Sequence, residues 1–245
     1  MRQVVPSTLE RRSRNLLLVS GLIILVGLFA VIVGVVLFNI ELVVESNDNY
    51  TTYEGIRSGL LVSGIAIAIL GFITGIRALT WRRDNPLAKS TGDALADFLD
   101  ERFVFIRNVN KLATGYIDAV LVGPPGVLVF RITDQKGIYF NEGSRWMSQR
   151  DSNNWRALRW SPTDEAVKDI KKLREFFHTH ALPEVPVYGV IVFTNDMPVA
   201  QITQQTPLVP VLYTGELSYN LSDSYFAKDR IDQLKINKIT NLLKG

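Results

Sequence analysis

The chain contains no cysteine among its 245 residues and only two histidines. Disulfide bonds, thiolate metal sites and a histidine-rich metal centre are therefore excluded. The formal net charge of +3 argues by itself neither for nor against a nucleic-acid partner. Hydrophobic residues make up 47% of the chain, and the mean hydropathy is +0.13. This is too apolar for an ordinary soluble domain of this size, so the apolar residues must be concentrated somewhere.

Charged residues are nearly absent from two long segments. Residues 15–44 contain one charge, Glu41, and residues 58–81 contain one, Arg77. Because ~20 apolar residues cross a bilayer as a helix, each segment is predicted to span a membrane. The first is far longer than the ~7–15 apolar residues of a signal peptide. We therefore predict a transmembrane helical hairpin at 15–81 with an external loop at 45–57.

The residues on either side of this hairpin are basic, whereas the loop 45–57 carries three acids and one arginine. The positive-inside rule then places both termini in the cytoplasm. The segment 1–14 is thus predicted to be a basic cytoplasmic N-terminus of an integral membrane protein, and we expect a bacterial plasma membrane. The flanking basic residues are Arg2, Arg11, Arg12 and Arg14 before the hairpin and Arg82, Arg83 and Lys89 after it.

Small residues recur four positions apart within the predicted spans, a spacing that lets two helices approach closely in lipid. We favour packing of the two spans on each other, and the alternative is a homo-oligomer held together through the same positions. The pairs are Ala30 and Gly34, Gly64 and Ala68, and Gly71 and Gly75.

Residues 90–245 are enough for one cytoplasmic domain with its own core. Their periodicity predicts helices and strands in the order of an α/β fold, with a mixed sheet flanked by helices on both sides. Helices are expected to begin at Ser90 or Thr91, near Pro162 and at Lys228, and strands are expected at 103–109, 116–122, 127–132, 138–140, 186–194 and 209–213.

One acid lies in an otherwise apolar hairpin, 116-YIDAVLVGPPGVLVFRITDQKG-137. Asp118 is on the first strand, and Arg131 is on the strand that faces it. A buried carboxylate needs a positive or hydrogen-bonding partner, or it stays protonated. We predict that Arg131 pairs with Asp118, and the alternative is a hydrogen bond from a nearby backbone or loop.

This hairpin and the order of the elements resemble the nuclease-related domain, NERD, a family of the PD-(D/E)XK nuclease superfamily. The resemblance covers roughly residues 92–194 and implies a restriction-endonuclease-like fold. The stretches that carry it are Gly92-Asp93, 117-IDAVLVGPPGV-127, 130-FRITDQKG-137 and 161-SPTDEAVKDI-170.

The resemblance also locates the expected site. In the family, acids on two neighbouring strands hold a divalent metal, which polarises the phosphate and activates water, and a lysine lies two residues beyond the second acid. Asp118 has the first-acid position, but Arg131 stands at the second acid and Thr133 at the lysine. Asp93 replaces a glutamate, and Glu165 replaces a glutamine.

These departures imply a catalytically deficient, nuclease-related binding or scaffolding protein. Arg131 would take the place of the metal's charge, so no cofactor is expected. The alternative is an active nuclease that uses Mg²⁺ or Mn²⁺ in a rearranged site of Asp93, Asp118 and Asp134 with Lys136. A shift of three residues moves a side chain ~10 Å along a strand and to its other face, which disfavours that arrangement. A third possibility is a protein-interaction module in a membrane complex.

Arginines alternate with tryptophans in 145-RWMSQRDSNNWRALRW-160. Such a segment can contact phosphates and stack on the bases of DNA or RNA, contact anionic lipid headgroups, or form a loop whose tryptophans cover the sheet edge. The nucleic-acid hypothesis places binding at Arg145, Arg150, Arg156, Arg159 and Trp155.

Overall fold

The computed structural model describes all residues except 6, 41, 44–46, 82–84, 112, 152–153, 223–224 and 245, and it describes only the backbone of 7–14, 77, 79–81, 150 and 151. The described residues form two compact units. One consists of Met1–Thr8 together with Asp84–Gly245, and the other is Leu9–Arg83.

The second unit consists of two long apolar helices, as predicted. Helix α1 is Ser7–Asn39, and helix α2 is Tyr50–Trp81. Within them, Asn15–Asn39 and Tyr50–Ile76 are long and apolar enough to cross a membrane. Helix α1 ends before the predicted limit at residue 44, and α2 begins inside the segment predicted as an external loop.

A tyrosine at the start of α2 explains these limits. The oxygen of the Tyr53 hydroxyl lies 2.5 Å from the carbonyl oxygen of Leu37 and 2.7 Å from that of Ile40. The hydroxyl donates its hydrogen to both carbonyl oxygens. The last carbonyls of a helix have no partner within the helix. Tyr53 satisfies two of them and holds the start of α2 against the end of α1. The guanidinium of Arg57 adds a contact 4.5 Å from the centre of the Phe38 ring.

Small residues lie where α1 and α2 approach each other most closely. A Cβ atom added at Gly27 would lie 2.5 Å from the backbone nitrogen of Ala68, and one at Gly64 would lie 2.8 Å from the carbonyl oxygen of Gly27. A Cβ at Gly71 would lie 2.7 Å from the Ile24 side chain. The predicted packing of the two helices on each other is therefore confirmed, while homo-oligomer formation stays a prediction.

The first unit contains ten strands and four helices among its described residues, together with a short 3-10 turn at Thr214–Glu216. In chain order they are β1 (Arg2–Val4), α3 (Pro86–Ala96), β2 (Val104–Lys111), β3 (Gly115–Gly123), β4 (Gly126–Thr133), β5 (Gly137–Glu142), β6 (Arg145–Asp151), β7 (Asn154–Ala157), α4 (Pro162–Thr179), β8 (Val187–Phe193), β9 (Ala200–Gln205), β10 (Val211–Tyr213), α5 (Leu217–Ser222) and α6 (Gln233–Lys244).

The larger sheet is mixed and has helices on both faces, which confirms the predicted fold class. Its strand order is β1-β2-β3-β4-β8-β10. The strands β2, β3 and β4 are antiparallel neighbours, whereas β1, β8 and β10 join the sheet in parallel. Helices α4 and α6 pack on one face, and α3 and α5 pack on the other. Both faces of the central strands are therefore buried, which explains their nearly continuous apolar sequences.

The strand β1 comes from the residues that precede the two long helices. It pairs in parallel with β2, with Arg2 opposite Val104 and Val4 opposite Ile106. The unit therefore extends beyond the predicted range 90–245, because its sheet includes a strand from the N-terminal segment. This pairing was not predicted, since a three-residue strand has no periodicity to recognise.

A second sheet has the strand order β7-β6-β5-β9. Its strands β6 and β7 contain residues 145–151 and 154–157 of the arginine- and tryptophan-rich segment, so these residues are not in a loop. The indole nitrogen of Trp146 donates a 2.8 Å hydrogen bond to the Thr163 hydroxyl, and the ring stacks on Phe193 at 6.1 Å. Trp146 thus joins the second sheet to α4 and β8.

Two helices begin at residues other than those predicted. Helix α3 begins at Pro86, because the Asn85 side chain accepts hydrogen bonds from the first backbone N–H groups. A cap at Ser90 or Thr91 is therefore wrong. Helix α6 begins at Gln233 rather than at Lys228, and the Asp232 carboxylate accepts a hydrogen bond from the Lys235 N–H at 2.8 Å.

The contact between α1 and α2 can be tested with a matched pair of substitutions. Gly27→Val should overpack the contact and lower the stability of the full-length protein in detergent by ~1–3 kcal/mol. Gly21→Val makes the same substitution in the same helix, but a Cβ atom at residue 21 has no other atom within 4 Å. Thermal unfolding should show a lower Tm for the first variant than for the second, and equal Tm values would contradict the close approach.

Candidate functional site

Four charged side chains lie together on the sheet face that α4 covers. Asp118 is on β3, Arg131 is on β4, and Glu165 and Asp169 are one turn apart on α4. Arg131 forms ion pairs with Asp118 and Glu165, and its charge also acts on Asp169. We call these four residues the charged cluster.

The position of Asp118 coincides with an irregularity in β2 and β3. Ile117 and Val120 pack in the same core cluster although they are three positions apart, whereas Ala119 packs on the opposite face. Asn108 and Asp118 lie between the paired positions Arg107–Ala119 and Val109–Ile117, and Asn108 has a φ of 55°. Asparagine is one of the few residues besides glycine that adopt this left-handed conformation readily. A buried polar pair therefore occupies the point at which regular alternation stops.

The carboxylate of Asp118 has both of the partners considered from the sequence. Its Oδ2 lies 3.7 Å from Nη1 of Arg131 and accepts a 2.9 Å hydrogen bond from the backbone N–H of Ile132. The predicted pair with Arg131 is confirmed, and so is the alternative of a backbone hydrogen bond. The other nitrogen of the guanidinium, Nη2, pairs with Oε2 of Glu165. Arg131 therefore joins strands β3 and β4 to α4.

Burial opposes ionisation of both aspartates. It raises the pKa of Asp118 above its ordinary value, while the Ile132 N–H and the charge of Arg131 act in the opposite direction. Burial raises the pKa of Asp169 to about 6, and again Arg131 opposes the shift. The Oδ2 atom of Asp169 is buried and has no hydrogen-bond partner among the described residues. Burial thus brings the pKa of Asp169 to about 6, well above the ordinary value of an aspartate.

Thr133, at the position of the family lysine, is buried at the end of β4. Its hydroxyl accepts a hydrogen bond from the Gln135 N–H at 3.3 Å, and its carbonyl oxygen accepts one from the Thr194 N–H at 2.9 Å. The side chain thus stabilises the end of the strand and brings no charge to the cluster.

The residues of the rearranged metal site lie apart from one another. Asp93 is exposed on α3, where its carboxylate accepts a 2.9 Å hydrogen bond from the Gln3 side chain. Helix α3 packs on the face of the sheet opposite to α4. Asp134 and Lys136 are exposed in the connection between β4 and β5. The fold therefore does not bring Asp93 and Asp134 together with Asp118.

The donor set around Asp118 does not fit a divalent metal. Among the described residues, no three acidic, histidine or cysteine side chains are arranged so that they could hold an ion. The acids Asp118 and Glu165 both direct an oxygen at the Arg131 guanidinium. The position between them is thus taken by a cation that belongs to the chain.

The residues predicted for nucleic-acid binding divide between the two faces of the second sheet. Directly paired residues share a face, so Trp155 lies beside Gln149 and Arg156 lies beside Ser148. Arg145 has the same parity as Gln149 and belongs to the Trp155 face. Arg145, Trp155, Arg156 and Arg159 are all exposed, whereas the side chain of Arg150 lies outside the described residues.

Comparison with known families identifies the segment that contains the cluster. The family model described as NERD, nuclease-related domain, matches residues 83–194. This segment is a nuclease-related domain, so the resemblance seen in the sequence is confirmed, and placement in the PD-(D/E)XK superfamily is consistent with it. The match extends from α3 to β8 and contains all four residues of the charged cluster. No curated protein and no solved structure matches the chain.

Asp169 was not predicted as a member of the site. Helical spacing provides a signal that could have identified it, because Ala166, Asp169 and Leu173 share the buried face of α4. An acid within an apolar stripe of a helix indicates a polar partner on the opposing sheet.

The raised pKa of Asp169 predicts a pH-dependent stability. The pKa of Asp169 is about 6 in the folded protein, above the ordinary 3.8. The contribution of the protonated Asp169 carboxyl to the stability of the fold is therefore complete below pH 3.8, and it is lost as the pH rises through about 6. Asp169→Asn should remove that loss and raise the Tm at pH 8 by ~2–4 °C, which corresponds to about 1 kcal/mol.

The gain from Asp169→Asn should shrink when unfolding is measured at pH 5. The control Asp164→Asn changes an exposed acid in the first turn of the same helix and should raise the Tm at neither pH. A gain for Asp169→Asn that is equal at pH 5 and pH 8 would contradict the charge change.

Proposed function

We propose that this protein is a membrane-anchored, nuclease-related protein that binds nucleic acid and does not cleave it by metal catalysis. The observation that carries the proposal is the position of Arg131, whose guanidinium pairs with Asp118 and Glu165. These are the oxygens that a metal beside Asp118 would need. The nuclease-related scaffold is thereby stabilised by an internal ion pair instead of a bound metal.

Electrostatic repulsion supports this proposal. At an effective dielectric constant of ~20, two unit charges ~4 Å apart interact by ~4 kcal/mol, and a divalent ion doubles that value. A metal beside Asp118 would meet this repulsion from Arg131 unless the side chain moved. Its movement would in turn leave the buried acids without their partner. Thr133 adds no charge that could replace the family lysine.

The two long helices support the membrane anchor, and the strand β1 supports its topology. β1 precedes the helices and β2 follows them, yet the two pair in one sheet. This pairing supports a topology in which the segments on either side of the hairpin lie on the same side of the membrane. The excess of arginine and lysine in these segments supports the cytoplasm as that side.

Arg156, Arg159 and Trp155 are exposed and support nucleic acid as the ligand. Arginine contacts the phosphates of the backbone, and exposed aromatic rings stack on unpaired bases. Trp155 keeps 42% of its surface exposed, so its ring is accessible. A second candidate function is protein interaction in a membrane complex, which the exposed Ile138, on the same face of the sheet as Trp155, favours.

The proposal can be tested by metal binding to the full-length protein in detergent. Wild type should show no saturable heat with Mn²⁺ in titration calorimetry. Arg131→Glu/Thr133→Lys should bind Mn²⁺ and gain thermal stability in its presence, by ~2.7 kcal/mol when the free metal is 100-fold above Kd. The full chain is required because β1 comes from the N-terminal segment.

Adding Asp118→Asn to the double variant should abolish the new metal site, which controls for binding elsewhere. Tight Mn²⁺ binding by wild type that Asp118→Asn removes would overturn the proposal, and DNA and RNA cleavage assays would then test for a nuclease. Failure of wild type to bind DNA or RNA would favour the protein-interaction function.

A further inference from the structure

A cleft on the second sheet is lined by three cationic side chains. It has a volume of about 400 Å³, and its charged lining residues are Lys136, Arg156 and Arg159. Ser148 and Gln149 add polar groups to its wall. The cleft is distinct from the charged cluster, because none of the four cluster residues lines it.

No acidic side chain in the lining of this cleft neutralises its positive charge. No acid is among the lining residues, and the ion pairs found among the described side chains include none of the three cations. Other cations of the domain have close acidic partners, as Arg102 has in Asp100 and Lys235 has in Glu184, both at 2.8 Å. Like charges that converge without an acid attract an anion into the space between them.

The backbone that carries these cations is held by specific contacts. The strand register aligns Tyr139, Ser148 and Arg156, so their side chains share one face of the sheet. The buried Tyr139 donates a 2.8 Å hydrogen bond to the carbonyl oxygen of Lys136. The N–H of Leu158 bonds to the carbonyl oxygen of Trp146 at 2.9 Å, which fixes the chain just before Arg159. The cleft is therefore a property of the fold and not of a loose loop.

We infer that this cleft is a binding site for a phosphate group, and that the phosphate is one of a nucleic-acid strand. Two guanidinium groups can each bind phosphate oxygens in bidentate fashion, and the lysine adds a point charge. The assignment to nucleic acid rests on the proposed function, whereas the assignment to phosphate rests on the cleft alone. Lys136 is three residues beyond Thr133, the last residue of β4. The Cα atoms of these two residues are therefore at most ~10 Å apart.

The arginines that lie close together in the sequence are not equivalent in the structure. Arg156 and Arg159 line the cleft, whereas Arg145 is not among the residues that line it. Removing the first two should weaken phosphate binding, while removing Arg145 should not. A general attraction between a basic surface and a polyanion would make all the arginines equivalent.

The experiment compares two double variants of the full-length protein in nanodiscs of neutral phosphatidylcholine. Arg156→Ala/Arg159→Ala removes two of the three cations that line the cleft. Arg145→Ala/Arg230→Ala removes the same amount of charge at exposed positions outside the cleft. Binding of a fluorescent single-stranded DNA 12-mer is measured by anisotropy over a series of salt concentrations. The cleft variant should lose at least tenfold in affinity, and its slope of log K against log salt should fall by ~1.4 for two lost phosphate contacts.

The control variant should keep its affinity within about threefold of wild type and its salt slope unchanged, because it loses only general attraction. Equal losses in the two double variants would overturn the inference. Both variants change exposed side chains, so each should unfold at the temperature of the wild type, which verifies that the fold is intact.

Two further arms identify the source of the phosphate. Inorganic phosphate, titrated by calorimetry, should bind wild type and not the cleft variant. Binding of phosphate without binding of DNA or RNA would support the phosphate site and overturn the proposed function. Vesicles containing anionic phosphatidylglycerol are the third probe. If only vesicle binding depends on Arg156 and Arg159, the assignment to nucleic acid is overturned.

Discussion

Neutralisation of buried carboxylates is the constraint that organises the centre of this domain. Asp118 and Asp169 are almost fully buried on the face between the sheet and α4, and an isolated charge there would be strongly unfavourable. The Arg131 guanidinium pairs with Asp118 and with Glu165, so one side chain links β3, β4 and α4. The same contacts place the guanidinium between the two acids. A single residue thus neutralises the buried acids and holds the helix on the sheet.

The fold of the nuclease-related segment depends mainly on apolar packing. The core between the large sheet and helices α4 and α6 is built from aliphatic and aromatic side chains of β2, β3, β4 and β8. None of these contacts requires a metal. The charged cluster, in contrast, consists of four polar residues on β3, β4 and α4. The family match therefore defines the scaffold, and only the side chains of the site argue for an activity.

The sheet also connects the N-terminal segment to the domain that follows the two long helices. Parallel pairing of β1 with β2 covers an edge that would otherwise expose unpaired backbone groups. Because β1 and β2 lie far apart in sequence on either side of the hairpin, the first residues and the domain must assemble after both helices are made. The hairpin has its own packing, in which small residues allow close approach and Tyr53 satisfies the carbonyl groups at the end of α1.

The sequence alone determined the two apolar helices, the α/β class, the β3–β4 hairpin and the pairing of Arg131 with Asp118, because each depends on local periodicity or on neighbouring strands. Only the tertiary structure decided that Asp169 joins the cluster and that Arg156 and Arg159 meet Lys136. It also separated Arg145 from those arginines and added β1 to the sheet. These features bring together residues that are distant in the chain. Their positions are set by strand order and helix packing, which no local pattern encodes.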